Sequence, residues 1–175
     1  MKLISLVLAL ALGAAPVHAK VFYAKNEALK AALPDADEIE AKDIFLTPAQ
    51  KDAIQKASGM TVDSDLLTVY MGKKKGAVAG YALFDTHTVR TQAETFVVAL
   101  DLQGRVTNLF VCAFYEPQDY LPPERFLKQF RGRDAAHPPV VGGEIVGITG
   151  ATLTSRAVAA GVRRALAIWQ NCLRK

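Results

Sequence analysis

The spacing of apolar positions along this chain shifts from helical to alternating and back, and each shift marks an element. Leu29, Ala32 and Leu33 recur at helical steps between Asn26 and Leu33, and Pro34 stops that helix. Ile39 to Phe45 reads as a short strand. A second helix opens at Thr47-Pro48-Ala49-Gln50, where Thr47 supplies a capping oxygen, Pro48 suits the first helical position and Gln50 is placed to close a capping box. Gly59 is the left-handed residue that ends it. From Asp65 the pattern alternates. Leu66–Lys73 and Ala77–Asp85 flank Gly72-Lys73-Lys74-Lys75-Gly76 as one hairpin, and Ala93–Leu100 and Val106–Tyr115 flank Asp101–Gly104 as another.

The last of these strands is apolar on both sides, with Val106, Phe110, Cys112 and Phe114 on one face and Leu109, Val111 and Ala113 on the other. That pattern belongs to a central strand in a sheet with helices against it. Short loops between successive strands make the sheet antiparallel. Pro122-Pro123-Glu124 then starts a helix holding Phe126, Leu127 and Phe130, and Glu144–Ile148 is an apolar run of strand type. From Arg156 to Leu173 the chain is one amphipathic helix, with Val158, Val162, Leu166, Trp169 and Leu173 on one face and Arg156, Arg163, Arg164 and Gln170 facing away. The expected fold is α+β, an antiparallel meander sheet packed with helices.

Met1–Ala19 stands apart from this pattern. Lys2, the apolar run Leu3–Leu12 and the small-residue site Val17-His18-Ala19 form a signal peptide, so the mature chain is expected to begin at Lys20 and to be exported to the periplasm. The run is too short for a membrane span, which needs about 20 residues. No cysteine sits near the cleavage site to take a lipid anchor. Residues 20–175 then suffice for a single domain. The net charge of +4 is mild and its basic residues are scattered, which does not argue for a nucleic-acid partner. Lys73-Lys74-Lys75 reads as a solvated hairpin tip.

The candidate chemistry lies where strand gives way to the last helix, at Thr149-Gly150-Ala151-Thr152-Leu153-Thr154. A helix N-terminus offers unpaired N–H groups and the positive end of a dipole, and both favour a phosphate. Thr and Ser there also serve as ordinary N-caps.

Thr149-Gly150-Ala151-Thr152 matches the Ser/Thr-Gly-Ala-Thr motif, Phe126-Leu127-Lys128-Gln129-Phe130-Arg131-Gly132 is similar to an F-x-x-Q-F-x-G segment, and Tyr115-Glu116 to a Y-E turn. On these residues the chain resembles the FMN-binding domain family, over Gly76 to Leu173. The resemblance implies a core at 76–173, with 20–75 as a packing segment. It also implies FMN esterified through its phosphate to Thr152 by a flavin transferase that uses FAD as donor. The cofactor would pass electrons to or from a membrane or periplasmic redox partner, and Thr149, Gly150, Ala151, Leu153 and Thr154 would complete its site. Modified members carry Asp three residues before the motif, where this chain has Val146. Noncovalent FMN, or a flavin-free sensory or regulatory binding module, are the alternatives this leaves open.

Outside the motif the sequence offers less. It has no Gly-x-Ser-x-Gly, His-Glu-x-x-His or Walker pattern, and three separated histidines with two distant cysteines do not make a zinc site. Catalysis by side chains has no candidate. His87 reads either as a partly exposed strand-end residue or as a group that approaches the flavin. Glu116 is either a solvated loop acid or, with Tyr120, part of the surroundings that tune the flavin ring. Gln129 and Phe130 read as packing, and Lys128, Arg131 and Arg133 as a solvated basic face or a steering patch. Export exposes Cys112 and Cys172 to an oxidising compartment, yet spacing cannot decide a disulfide. Two unpaired thiols are expected.

Overall fold

The computed structural model describes residues 20–174, so the expected leader lies outside the described residues. Its elements are β1 (Lys20–Val21), α1 (Lys25–Ala32), β2 (Glu38–Phe45), α2 (Pro48–Ser58), β3 (Leu66–Lys74), β4 (Ala77–Val89), β5 (Gln92–Leu100), β6 (Val106–Phe114), α3 (Glu124–Leu127) and α4 (Thr152–Ile168). Short 3-10 turns cover Gln118–Tyr120 and Lys128–Phe130, and a π-turn, Trp169–Leu173, finishes α4. The strands form one sheet in the order β1-β6-β5-β4-β3-β2, with every neighbouring pair antiparallel. The α+β meander expected from the sequence is the observed fold.

Helices cover both faces of the sheet. On one face Leu29 of α1 and Leu33, which caps its C-terminus, pack against Tyr70, Val97 and Cys112. On the other, Val158, Val162 and Leu166 of α4 meet Leu83, Phe96 and Val98. Each such side chain, once buried, contributes about 1.5–3 kcal/mol, so α4 is fixed by its stripe rather than by propensity. Phe126 and Phe130 join this second core as an edge-to-face pair with ring centroids 5.3 Å apart. Cys112 belongs to the α1 face and Cys172 packs against the α4 face. Both thiols are free, and the sheet stands between them. Burial pushes the Cys112 thiol up to about 11, which keeps it protonated and unreactive.

Local expectations fared unevenly. The capping box of α2 forms, with Thr47 Oγ1 accepting from Gln50 N and Gln50 Oε1 accepting from Thr47 N, and Gly59 ends the helix at φ 71°. Strict alternation in β6 does not hold. Two register shifts against β5 put Val106, Leu109, Val111 and Phe114 on the α4 side, with Phe110 and Cys112 on the α1 side. The strand also lies next to the sheet edge, covered there by the two residues of β1.

Glu144–Ile148 is not a strand. It makes a single bridge, Val141 to Ile145, around a Gly142-Gly143 turn. What replaces a neighbouring strand is the Gln129 side chain, whose Oε1 accepts from Val146 N at 2.8 Å while its Nε2 donates to Val146 O at 3.0 Å. Gln129 therefore does more than pack. Finally, α4 begins at Thr152, a full turn before the expected Arg156. Two of its arginines do not face away: Arg163 donates to Pro139 O and Ser58 O, and Arg164 to Asp85.

Candidate functional site

The loop before α4 is stitched to the helix by Ser155. Its Oγ accepts from Ile148 N and donates to Ala151 O, both at 2.9 Å, and Ala151 N donates to Ile148 O at 3.0 Å. Gly150 takes φ +80°, with open space beside it. The N-cap is Ala151, which has no side-chain oxygen, so the expected Thr or Ser cap is absent and no side chain bonds the first N–H groups of the helix. No acid lies in the first turn of this 17-residue helix either. The helix brings no acid of its own to its dipole end, and its first N–H groups fit a phosphate on the open side of the turn, away from the buried Glu94 and Glu116.

The motif residues divide by exposure. Thr149, Gly150 and Thr152 are open to solvent and Leu153 is about half exposed, whereas Ala151 and Thr154 are 2% exposed.

Facing this turn is the β4–β5 hairpin. Its two-residue connection is Arg90-Thr91, with Arg90 at φ 54°. The guanidinium of Arg90 lies 4.4 Å from the centroid of the Tyr120 ring. Val89, Arg90, Glu116 and Tyr120 together with Ala151, Leu153 and Thr154 line a crevice too narrow to admit a water molecule. Larger grooves lie elsewhere, along Phe22 and Phe110 and beside Trp169, and contain none of the motif residues.

Glu116 is no solvated loop acid. It is 4% exposed, and its Oε1 accepts from Thr91 N at 3.3 Å and Gln92 N at 3.1 Å, tying the loop after β6 to the hairpin.

His87 is not at a strand end, because β4 runs on to Val89. Its ring lies on the α4 face, stacked on Phe96 with centroids 5.5 Å apart. Nδ1 is 2.8 Å from Asp85 Oδ2, and Arg164 donates to the other oxygen of Asp85 at 3.3 Å. On the far side, Nε2 is 3.9 Å from Glu94 Oε2, while Glu94 Oε1 accepts from Thr154 Oγ1 at 3.4 Å. A polar chain therefore runs from Arg164 beneath α4 to the motif. Burial pushes the Glu94 carboxyl up to about 7; Glu116 adds to this, and His87 and the Thr154 hydroxyl oppose it.

Of the residues singled out in the sequence, Glu116, Tyr120, Ala151, Leu153 and Thr154 meet in one crevice. Thr149, Gly150 and Thr152 stand on the open side of the same turn, and His87 reaches it only through Glu94. Arg90, Asp85 and Glu94 were missed. Two of them left a trace, since Asp85 and Glu94 occupy inward positions between Leu83 and Val89 on β4 and before Phe96 and Val98 on β5. An acid on the apolar face of a strand asks for a buried partner.

A hairpin from the middle of an antiparallel sheet meets an uncapped helix N-terminus, an arrangement whose chemistry suits an anionic group at that turn. A family model described as an FMN-binding domain matches residues 90–167, a span that opens on Arg90, closes in α4 and contains every residue of the crevice but Val89. One component of the Na(+)-translocating ferredoxin:NAD(+) oxidoreductase complex of Acetobacterium woodii, its G subunit, is 30% identical over 159 residues, covering 85% of this chain and 73% of that protein. Among solved structures, Shewanella oneidensis NqrC aligns with a TM-score of 0.49 and 15% identity, over 76% of this chain and 78% of that one. The chain belongs to the FMN-binding domain family.

Proposed function

We infer that this chain is an exported flavoprotein that carries FMN on α4, through a phosphoester to Thr152, and relays electrons between redox partners. The observation that carries this reading is Thr152 itself. It is solvent-exposed and is the first residue of a long helix whose N-terminus has neither side-chain cap nor acid. A phosphate there meets free N–H groups and the favourable end of the dipole. Bound FMN would supply the electron chemistry, and the chain's part is to hold and surround it. Arg90 and the Tyr120 ring beneath it offer a cation and an aromatic face at the mouth of the crevice.

The narrowness of the crevice favours a covalent link. Sites that retain a ligand by burial enclose about 300–1,000 Å³, whereas this crevice has no room for a water molecule. A covalent tether would also prevent loss of a diffusible cofactor outside the cytoplasm. The Met1–Ala19 pattern supports that location. The relative from Acetobacterium woodii is named as part of a ferredoxin and NAD(+) complex, which supports a protein redox partner, membrane-bound or periplasmic. The attachment calls for a flavin transferase with FAD as donor.

A second reading, a flavin-free module that regulates a partner, is favoured by one feature. Val146 stands where modified relatives carry Asp, and it is 73% exposed, where a transferase would meet it. The intact mass of the protein from the periplasmic fraction of its own host separates the two. The expected species begins at Lys20 and carries the covalent FMN increment. In Thr152→Val that increment and the denaturation-resistant yellow colour disappear, with the fold retained. Thr154→Val keeps both, because its hydroxyl is buried against Glu94. Wild type without the increment defeats the covalent reading, and an increment that persists in Thr152→Val moves the link to another residue.

A further inference from the structure

Two buried polar atoms on the α4 side of the sheet face each other without any hydrogen-bond partner: His87 Nε2 and Glu94 Oε2, 3.9 Å apart. The Glu94 side chain is fully buried and that of His87 nine-tenths buried. Asp85, paired with Arg164, lies 2.8 Å from the other ring nitrogen, and its carboxylate accepts a hydrogen bond from Nδ1–H. With Nδ1 as the donor, a neutral ring turns the lone pair of Nε2 toward Glu94, and an ionised Glu94 presents only lone pairs in return. Two acceptors facing each other in a buried space repel, and each bears the cost of a desolvated, unpaired polar atom. One proton turns this repulsion into attraction across the 3.9 Å gap, on whichever atom it resides.

We propose that His87 and Glu94 form one proton-binding site, which takes up a proton from solvent when a flavin at the N-terminus of α4 accepts an electron and releases it when that electron leaves. The coupling rests on the functional reading above; the shared proton does not. Its path to the motif is short, since the second oxygen of Glu94 accepts from Thr154 in the first turn of α4. The charged groups around the pair are Asp85 on β4, Glu116 after β6 and Arg164 on α4, with Arg90 at the mouth of the crevice. Glu116 already opposes ionisation of Glu94, and a negative charge arriving at the motif turn acts in the same direction. Burial and Glu116 together hold Glu94 near 7, so small changes in local charge alter its occupancy at physiological pH. The balance is simple. A one-electron donor protein supplies the electron to the flavin, water supplies the proton to the pair, and both leave on reoxidation with no bond made to the cofactor.

The test follows the Glu94 carboxyl carbon and the His87 ring nitrogens by NMR against pH in the full chain. Three states are compared: unloaded, loaded with oxidised flavin, and loaded with flavin reduced by dithionite. In the unloaded chain the Glu94 carboxyl should lose its proton near pH 7, and its change of charge should be sensed at His87 Nε2 across the 3.9 Å gap. Reduction should raise the pair's proton affinity about three- to tenfold, as expected for one added charge a few side chains away. By linkage, the flavin potential should then fall with pH more steeply in wild type than in Glu94→Gln. Should Glu94 instead titrate in the ordinary carboxylate range, the shared proton is refuted. A midpoint unmoved by reduction in a flavin-loaded chain overturns the coupling alone. A chain that acquires no flavin in its own host overturns the functional reading and the coupling together. The comparison of wild type in two redox states holds even if Glu94→Gln fails to fold.

Discussion

Thr152 and Thr154 sit two positions apart on one helical turn, and the fold gives them opposite environments. Thr152 faces water and Thr154 donates to a buried carboxylate, so only the first is open to a modifying enzyme. The motif alone does not make that distinction, because both are threonines in a helix start. Glu116 teaches the same lesson with a different sign. Its carboxylate is the acceptor for the amides of Thr91 in the turn and Gln92 at the start of β5, and removing it leaves both N–H groups without that partner. Glu116→Ala should therefore cost about 1–3 kcal/mol, read as a lower urea midpoint, whereas Glu116→Gln keeps an acceptor oxygen and should cost less. Equal stability of wild type and Glu116→Ala would mean that those bonds contribute nothing. Neither partner could be found in the sequence, since the bonds join residues about 25 apart through backbone amides that carry no sequence signal.

Between elements, the closest approach that matters for the site is α4 onto β4. Gly161 lies over Asp85, and a methyl group on it would stand 3.0 Å from Asp85 Cγ and nearer still to Oδ2. That approach lets Arg164 reach Asp85 and so fixes the His87 ring. In an isolated helix Gly→Ala gains about 1 kcal/mol. Here overpacking, at about 1–3 kcal/mol, and a displaced buried carboxylate oppose it. Gly161→Ala should lower the urea midpoint and shift the His87 ring resonances. A more stable variant would show that the helix moves away without cost.

The elements themselves were largely legible, because apolar periodicity and the caps of α2 are local. The hairpin turn at Arg90-Thr91 was not. It contains no Gly, Pro, Asn or Asp, so from the sequence β4 and β5 stop short of it and His87 falls at a strand end. The apolar run at Glu144–Ile148 misleads for the opposite reason. Its periodicity fits a strand, but its backbone partner is the side chain of Gln129. The bulges that reassign the faces of β6 arise from pairing with β5, which periodicity within one strand does not register.

At the scale of the whole molecule, the sheet carries an acid–imidazole–acid chain against a largely apolar core, and this makes stability depend on pH in a definite direction. Burial raises the Glu94 carboxyl from 4.5 to about 7 in the folded chain. A carboxyl raised on folding is protonated more readily in the native than in the unfolded state. Its favourable contribution is therefore complete below the unfolded value, near 4.5, and is lost as pH rises through about 7. Carboxylates held below their usual range act in the opposite sense and at lower pH. Asp134, whose carboxylate accepts from the His137 and Ala136 amides, is one such group, and its contribution is lost only on acidification. Between pH 5 and 8, then, the Glu94 contribution should make the unfolding free energy decline on the order of 1–3 kcal/mol. Glu94→Gln keeps the shape and cannot ionise, so its stability should vary less over that interval and should exceed that of wild type most clearly at pH 8. Urea unfolding of the two proteins at pH 5, 6.5 and 8 decides it. Parallel pH profiles would mean that Glu94 is solvated or paired well enough to ionise without cost, and the buried chain would then have no bearing on the stability of the fold.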